Sequence, residues 1–246
     1  MTEFFGDYHT HTTFSHGKAT VAQNAQEAAL KGFREIAVTD HGFRHAAYNA
    51  KRRFLPLMRK EADEAAAAYG IGVLLGIEAN ITGRGAIDLK PRDFQALDIV
   101  LCGYHKFVIP ARAPDLFHFS RVNLFGGRKL IGRNTDLYLS VIEKYRIDVI
   151  THINYVMPID LERVAKACAE TGTMIELNGK RINFSDEEFR AMAAAGVRFI
   201  VNSDAHRSGK VGDFALPLEL LKRVPIPKEQ IANLNKRPIF RSQRKR

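Results

Sequence analysis

The sequence predicts an α/β protein folded as a closed or nearly closed barrel of seven βα units, and three observations predict it. Short apolar runs alternate with stretches of helical periodicity. Cap and stop residues punctuate that alternation without leaving a gap for a domain linker. Side chains able to bind metals recur just beyond the apolar runs, where a parallel barrel gathers its strand ends on one face.

The runs cover residues 4–9, 35–39, 72–79, 96–103, 147–151, 173–177 and 197–202. Their length and β-branched content suit buried strands. Between them, Thr20 opens an Ala-rich helical stretch closed by Gly32, a second stretch runs from Leu55 to Tyr69 and stops at Gly70, and Ser185 with Glu188 forms a capping box. Gly172 and Gly196 read as two more helix stops. Two connections, 41–54 and 106–133, exceed a bare βα turn and are expected to be long loops, either functional or disordered. Both are basic, with Arg44, Lys51, Arg52 and Arg53 in the first and Lys106, Arg112, Arg121, Arg128, Lys129 and Arg133 in the second. The expected organisation is one barrel domain over residues 1–235 and a basic C-terminal tail over 236–246.

Composition narrows the class. With 246 residues and 46% hydrophobic content, the chain can bury one large core. No stretch approaches the roughly 18 apolar residues of a membrane span, and residues 1–6 do not open a secretory signal, so a cytoplasmic protein without membrane contact is expected. Cys102 and Cys168 sit singly in apolar surroundings, which fits a reducing compartment. The formal charge of +10 suits an anionic substrate or a nucleic acid. Six of the cations, Lys236, Arg237, Arg241, Arg244, Lys245 and Arg246, crowd the last eleven residues, as in a solvated tail.

The distribution of imidazoles carries the chemistry, because seven of the nine histidines fall just after apolar runs. His9, His11 and His16 follow the first run and His41 the second; Glu78 ends the third; His105 and His152 follow the fourth and fifth; Asp204 and His206 follow the seventh. In extended chain, His9 and His11 project to the same side, as do Asp204 and His206, so each pair can grip one cation. Imidazole and carboxylate without thiolate suit zinc, manganese or iron. At about three protein ligands per catalytic ion, nine donors point to two or three ions. Asp7 and Asp40 are expected to orient the neighbouring histidines, and Lys106, Arg181 and Arg207 to contact a substrate phosphate, with Lys180 a further candidate. His45 and His118 fall in the long connections and are expected at the surface. The Gly83–Gly85 and Gly126–Arg128 stretches lack the Gly-Lys-Ser/Thr of a nucleotide loop and read as turns.

His9-x-His11, Thr39-Asp40-His41, the strand-ending Glu78, His105, His152 and Asp204-x-His206 together resemble the PHP (polymerase and histidinol phosphatase) superfamily over residues 4 to 210, and in particular its stand-alone histidinol-phosphatase-like members. The resemblance implies a distorted seven-stranded (β/α)7 TIM-like barrel that holds three divalent metal ions. It implies that His9, His11, Glu78 and Asp204 hold one ion, that Glu78 bridges to a second held by His105 and His152, and that His16, His41 and His206 hold the third. The expected activity is hydrolysis of a small phosphomonoester, histidinol phosphate or a related metabolite, by a metal-bound hydroxide. Glu78, Asp204 and His206 form the catalytic set, and the leaving oxygen is to be neutralised by a metal or by a proton from Asp204, His206 or a loop group. The alternative is a nuclease or phosphodiesterase acting on nucleic-acid ends with the same metals. A metal-dependent amidohydrolase also opens with His-x-His, but it wants a lysine ligand where this chain has His105.

Overall fold

The structure, a computed structural model, describes residues 3–125 and 128–241. Seven parallel strands, β1 (Gly6–Thr10), β2 (Glu35–Val38), β3 (Gly72–Gly83), β5 (Ile99–Gly103), β6 (Val149–Ile150), β7 (Met174–Asn178) and β8 (Phe199–Asn202), pair in that order; a two-residue β4 (Ala86–Ile87) folds back antiparallel on β3. The barrel is nearly closed. Between β8 and β1 a single parallel bridge, Thr10 to Ala205, replaces a ladder, with the His11 N–H donating to the Ala205 carbonyl at 2.8 Å. Side chains seal the rest of that seam. The buried Asp7 carboxylate accepts from the Ser203 backbone and hydroxyl and from the Gly212 N–H, while Asn233 bonds both Gly6 and Val201.

The helices form where the local chemistry dictates. α1 (Val21–Leu30) starts at the Thr20–Gln23 capping box, and α2 (Leu55–Tyr69) carries Pro in its first turn and ends at Gly70 in the left-handed region. α5 (Leu161–Thr171) is capped by Asp160 and stopped by Gly172, and α6 (Asp186–Ala194) starts at the Ser185–Glu188 capping box. α7 (Ala215–Arg223) follows the last strand.

The connection 106–133 is not a long loop: α3 (Ala113–Phe125) fills it, a 3₁₀ turn follows at 128–130, and α4 (Ile131–Lys144) completes the unit. Asp115, His118, Phe119 and Val122 form the buried face of α3, so His118 is a buried residue and not a surface one. The opposite face carries exposed Leu116, Phe117, Leu124 and Phe125. With apolar residues on both faces and Asp115 and His118 on the buried one, the contrast that announces a helix in sequence is weak. The Gly126–Gly127 pair lies outside the described residues.

Alternation along the strands creates the barrel interior and also its chemistry. Leu74, Ile99, Leu101, Val149, Met174 and Ile200, with Tyr8 and Ala37, fill the lower interior. Two or four residues further along the same inward faces come Glu78, His105, Glu176, Asn178, Asn202 and Asp204. A given face therefore turns from aliphatic to ionisable as its strand rises toward its C-terminal end.

The floor of the barrel corrects the expectation of a solvated tail. Phe240 is fully buried against Tyr8, with ring centroids 5.2 Å apart in a T-shaped pair. Arg237 binds the Glu35 carboxylate at 2.8–2.9 Å, and Arg241 donates to the Thr173 hydroxyl at 2.7 Å. An apolar ring between two such anchors removes more surface from water by docking than by fraying. Arg244, Lys245 and Arg246 lie outside the described residues. Phe240→Ala is expected to cost about 3–5 kcal/mol, read as a lower denaturation midpoint at unchanged m-value. A loss below about 1 kcal/mol would contradict this packing.

Candidate metal centre

The nine donors named from the sequence meet at one mouth of the barrel. His9 and His11 leave β1 side by side, their Nε2 atoms 3.1 Å apart. Glu78 stands between two sets of imidazoles with no exposure to solvent. Its Oε2 lies 3.3 Å from His9 Nε2, 3.6 Å from His11 Nε2 and 2.9 Å from His41 Nδ1. Its Oε1 lies 3.2 Å from His105 Nε2 and 2.8 Å from His152 Nε2. Asp204 Oδ1 is 3.4 Å from His11 Nε2 and 3.9 Å from His9 Nε2. Around one cation at about 2.0–2.2 Å, two donors stand roughly 3.3 Å apart, and these spacings are compatible with shared coordination. The donor sets His9–His11–Asp204, His41–Glu78–His105 and His11–His41–His206 each gather within coordinating reach. The His16 ring lies 4.8 Å from His41 and 4.3 Å from His206.

Unsatisfied atoms also fit a cation. His41 Nδ1 and Glu78 Oε2 are buried and close, yet the contact is not aligned as a hydrogen bond. Burial pushes the His41 imidazole down to about 3 and, helped by the neighbouring His206, the His16 imidazole down to about 4. Burial also lowers His11 well below its ordinary value, so these rings keep the neutral lone pair that ligation needs. Burial opposes ionisation of Glu78 and Asp204, but the imidazoles around them outweigh it and hold both well below the carboxylate range. His9 is the exception: burial lowers it, but Glu176, Glu78 and Asp204 together raise it well above an ordinary imidazole, leaving a proton for a cation to displace.

Backbone geometry places the rings. A Cβ at Gly103 would meet the Thr151 hydroxyl at 2.5 Å and His152 Cε1 at 2.9 Å, so only glycine lets His152 lie over β5. His152, Asp204 and Phe107 hold φ of 26°, 55° and 62°, and all three line the cavity above the donors. Such non-glycine residues persist only where the surroundings enforce them.

The groups that steady the histidines differ from those expected. Neither Asp7 nor Asp40 bonds an imidazole. Asp7 seals the barrel seam, and Asp40 accepts from the Thr12 backbone, the Thr12 hydroxyl and the Ser15 hydroxyl, pinning the loop that carries His16. The fold brings backbone N–H and hydroxyl groups to each carboxylate, and of the neighbouring histidines only the His9 backbone N–H reaches Asp7, at 3.4 Å. The ring partners are Glu176, 2.7 Å from His9 Nδ1, and Asn80, 2.8 Å from His105 Nδ1. Both sit on inward-facing strand positions, a signal present in the sequence. His45 is buried and not at the surface; its Nδ1 accepts from the Ala47 and Tyr48 N–H groups, and its ring lines the cavity.

Of the basic residues, Lys106, Lys180 and Arg181 line the cavity, whereas Arg207 is exposed outside it. Lys180 Nζ lies 2.6 Å from His206 Nδ1 and 3.2 Å from Asp204 Oδ1. Other loop cations are spent on structure. Arg44 donates to the Ile109 and Pro110 carbonyls, Arg52 pairs with Asp93 and Arg112 with Asp115.

A barrel that converges imidazoles and carboxylates from its strand ends on one cavity defines a metallohydrolase type of site. The PHP domain description matches residues 7–180, and the chain belongs to the PHP domain family. It is a hydrolase of phosphoric ester bonds. It is 32% identical over 243 residues to a probable phosphatase of Shewanella sp. (strain MR-4), covering 92% of this chain and 86% of that one. It is 33% identical, at the same coverage, to a probable phosphatase of Caldanaerobacter subterraneus. In fold it is similar to the histidinol phosphate phosphatase of Lactococcus lactis, solved with zinc, L-histidinol and phosphate, at a TM-score of 0.63 and 15% identity over 92% of this chain and 95% of that one. Among the described residues, no helix is long and apolar enough to cross a membrane.

Proposed function

We propose that the chain is a phosphomonoesterase working through three divalent cations, zinc, manganese or iron. His9, His11, Glu78 and Asp204 hold the first, Glu78, His105 and His152 the second, and His16, His41 and His206 the third. The observation that carries the reading is the division of Glu78, whose two oxygens face different imidazole sets at 2.8–3.6 Å. Ions bound there would polarise phosphoryl oxygens and lower the pKa of water toward neutrality.

The chain's own residues do the rest. Glu176 and Asn80 fix the ring orientation of His9 and His105. Lys180, beside Asp204 and His206, offers a cation to a phosphoryl oxygen. Arg181 and Lys106 also line the cavity. The substrate is a small phosphorylated metabolite, a class that includes the histidinol phosphate suggested by the family.

The nucleic-acid alternative gains nothing from Arg237 and Arg241, which are anchored beside Glu35 and Thr173 at the strand starts, opposite the cavity. An amidohydrolase is disfavoured because His105 takes the inward position and Lys106 turns out to the rim.

Purified protein supplied with Mn²⁺, Zn²⁺ or Fe²⁺ is expected to hydrolyse 4-nitrophenyl phosphate in preference to its bis-ester, and a chelator to abolish turnover reversibly. Undiminished turnover after metal stripping would overturn the reading, and preference for the diester would favour the alternative.

A further inference from the structure

The wall of the cavity above the donors sorts by charge. The cavity measures about 320 Å³, enough for a phosphate with a compact leaving group. Among the described residues that line it, the only carboxylates are Glu78 and Asp204, both buried inside the donor cluster. Outside the cluster the lining is cationic or aromatic: Lys106, Lys180 and Arg181 with His45, Tyr48, Phe107 and Tyr155. The cations and rings are interleaved. The Arg181 guanidinium lies 4.0 Å over the Tyr155 ring, Phe107 stands 65% exposed beside Lys106, and Tyr48 stacks on His16 with centroids 4.5 Å apart.

Lys180 is engaged by Asp204 and His206 and belongs to the reacting phosphate. Outside the cluster no carboxylate lines the cavity beside Lys106 and Arg181, so an ammonium on the leaving group would meet two like charges and no carboxylate to neutralise it. A flat ring with a second negative charge would meet rings to stack on and cations to bind.

We propose that the site selects phosphate monoesters whose leaving group bears a flat ring and an additional negative charge, and discriminates against esters of cationic amino alcohols, with Lys106, Arg181, Phe107 and Tyr155 as the residues that set the preference. This rests on the phosphomonoesterase reading and narrows its substrate class away from histidinol phosphate, itself the ester of a cationic amino alcohol. Phe107 supports it independently, since an aromatic side chain held exposed at φ 62° beside a binding cavity costs free energy that burial does not return.

The test uses three phosphate esters that share one ring: 4-carboxyphenyl, phenyl and 4-(aminomethyl)phenyl phosphate, each assayed with the metal-loaded full chain. The expected order of kcat/KM is carboxyl, then unsubstituted, then aminomethyl, with about tenfold or more between the extremes. Calorimetric binding of the matching non-hydrolysable phosphonates should follow the same order. In Lys106→Glu and in Arg181→Glu, the ratio of the carboxyl to the aminomethyl ester, read within each variant, should fall to near unity or invert. Equal rates on all three esters, or faster turnover of the aminomethyl ester, would overturn the charge preference while leaving the phosphomonoesterase reading intact. Hydrolysis of none of the three would overturn both. A ratio unchanged in both variants would remove Lys106 and Arg181 as its source and overturn the assignment.

Discussion

Glu78→Gln is expected to lower kcat/KM for an aryl phosphate by about 10³-fold or more, equivalent to at least about 4 kcal/mol of transition-state stabilisation. The substitution keeps the shape of a side chain wholly closed to solvent and can keep the Thr151 hydroxyl as a partner, which Glu78 Oε1 now accepts at 2.8 Å. It removes the negative charge shared by His9, His41, His105 and His152 and replaces one ligand oxygen with an NH₂ group that cannot coordinate. Two cations would then face each other without a carboxylate between them. Unchanged far-UV circular dichroism would show that the loss lies in the site. A loss smaller than about tenfold would mean that Glu78 does not bridge ions in the reacting enzyme.

Saturating divalent metal is expected to raise the melting temperature by roughly 8–16 °C for each independent site filled at about a thousand times its Kd. That concentration gives about 4 kcal/mol, and a domain of this size moves about 2–4 °C per kcal/mol. The donors come from six of the seven barrel strands or the turns just after them, so only the folded chain assembles them. The gain should shrink on acidification from about pH 8 to about pH 5.5. Burial works against the charged form of His9, but Glu176, Glu78 and Asp204 raise its pKa above the ordinary value, so the metal-free fold retains this proton as pH falls and a cation must displace it. His11, His16 and His41 are lowered and stay neutral across that window, so they add no competing proton. Differential scanning calorimetry with and without Mn²⁺ or Zn²⁺ reads both effects. A melting temperature indifferent to every divalent ion tried would refute the cluster as a metal site.

Period-two alternation made much of this protein legible before its structure. Each inward face keeps its parity from aliphatic to ionisable residues, so the positions of Glu78, His105 and Asp204 relative to Leu74, Leu101 and Ile200 foretell a common mouth. The same rule applied to Met174 identifies Glu176, which lies inside an apolar run and so passes for core when only strand ends are searched. Asp7 and Asp40 mislead because adjacency in sequence to a histidine does not bring a short carboxylate to its ring; Asp7 reaches the His9 backbone N–H with Ser203 and Gly212, and Asp40 reaches Thr12 and Ser15. His45 and the docked residues 237–241 depend on tertiary contacts that no local pattern encodes. α3 was hidden by its own hydrophobicity, since a helix with apolar residues on both sides lacks the contrast that periodicity detects.

Anomalous diffraction from crystals of the metal-loaded protein, recorded at the absorption edge of the bound ion, tests the central claim most directly. The account predicts separate peaks on the two sides of Glu78, one within bonding distance of His9, His11 and Asp204 and the other of His105 and His152. Peaks elsewhere on the molecule, with neither Glu78 oxygen in contact with an ion, would contradict it.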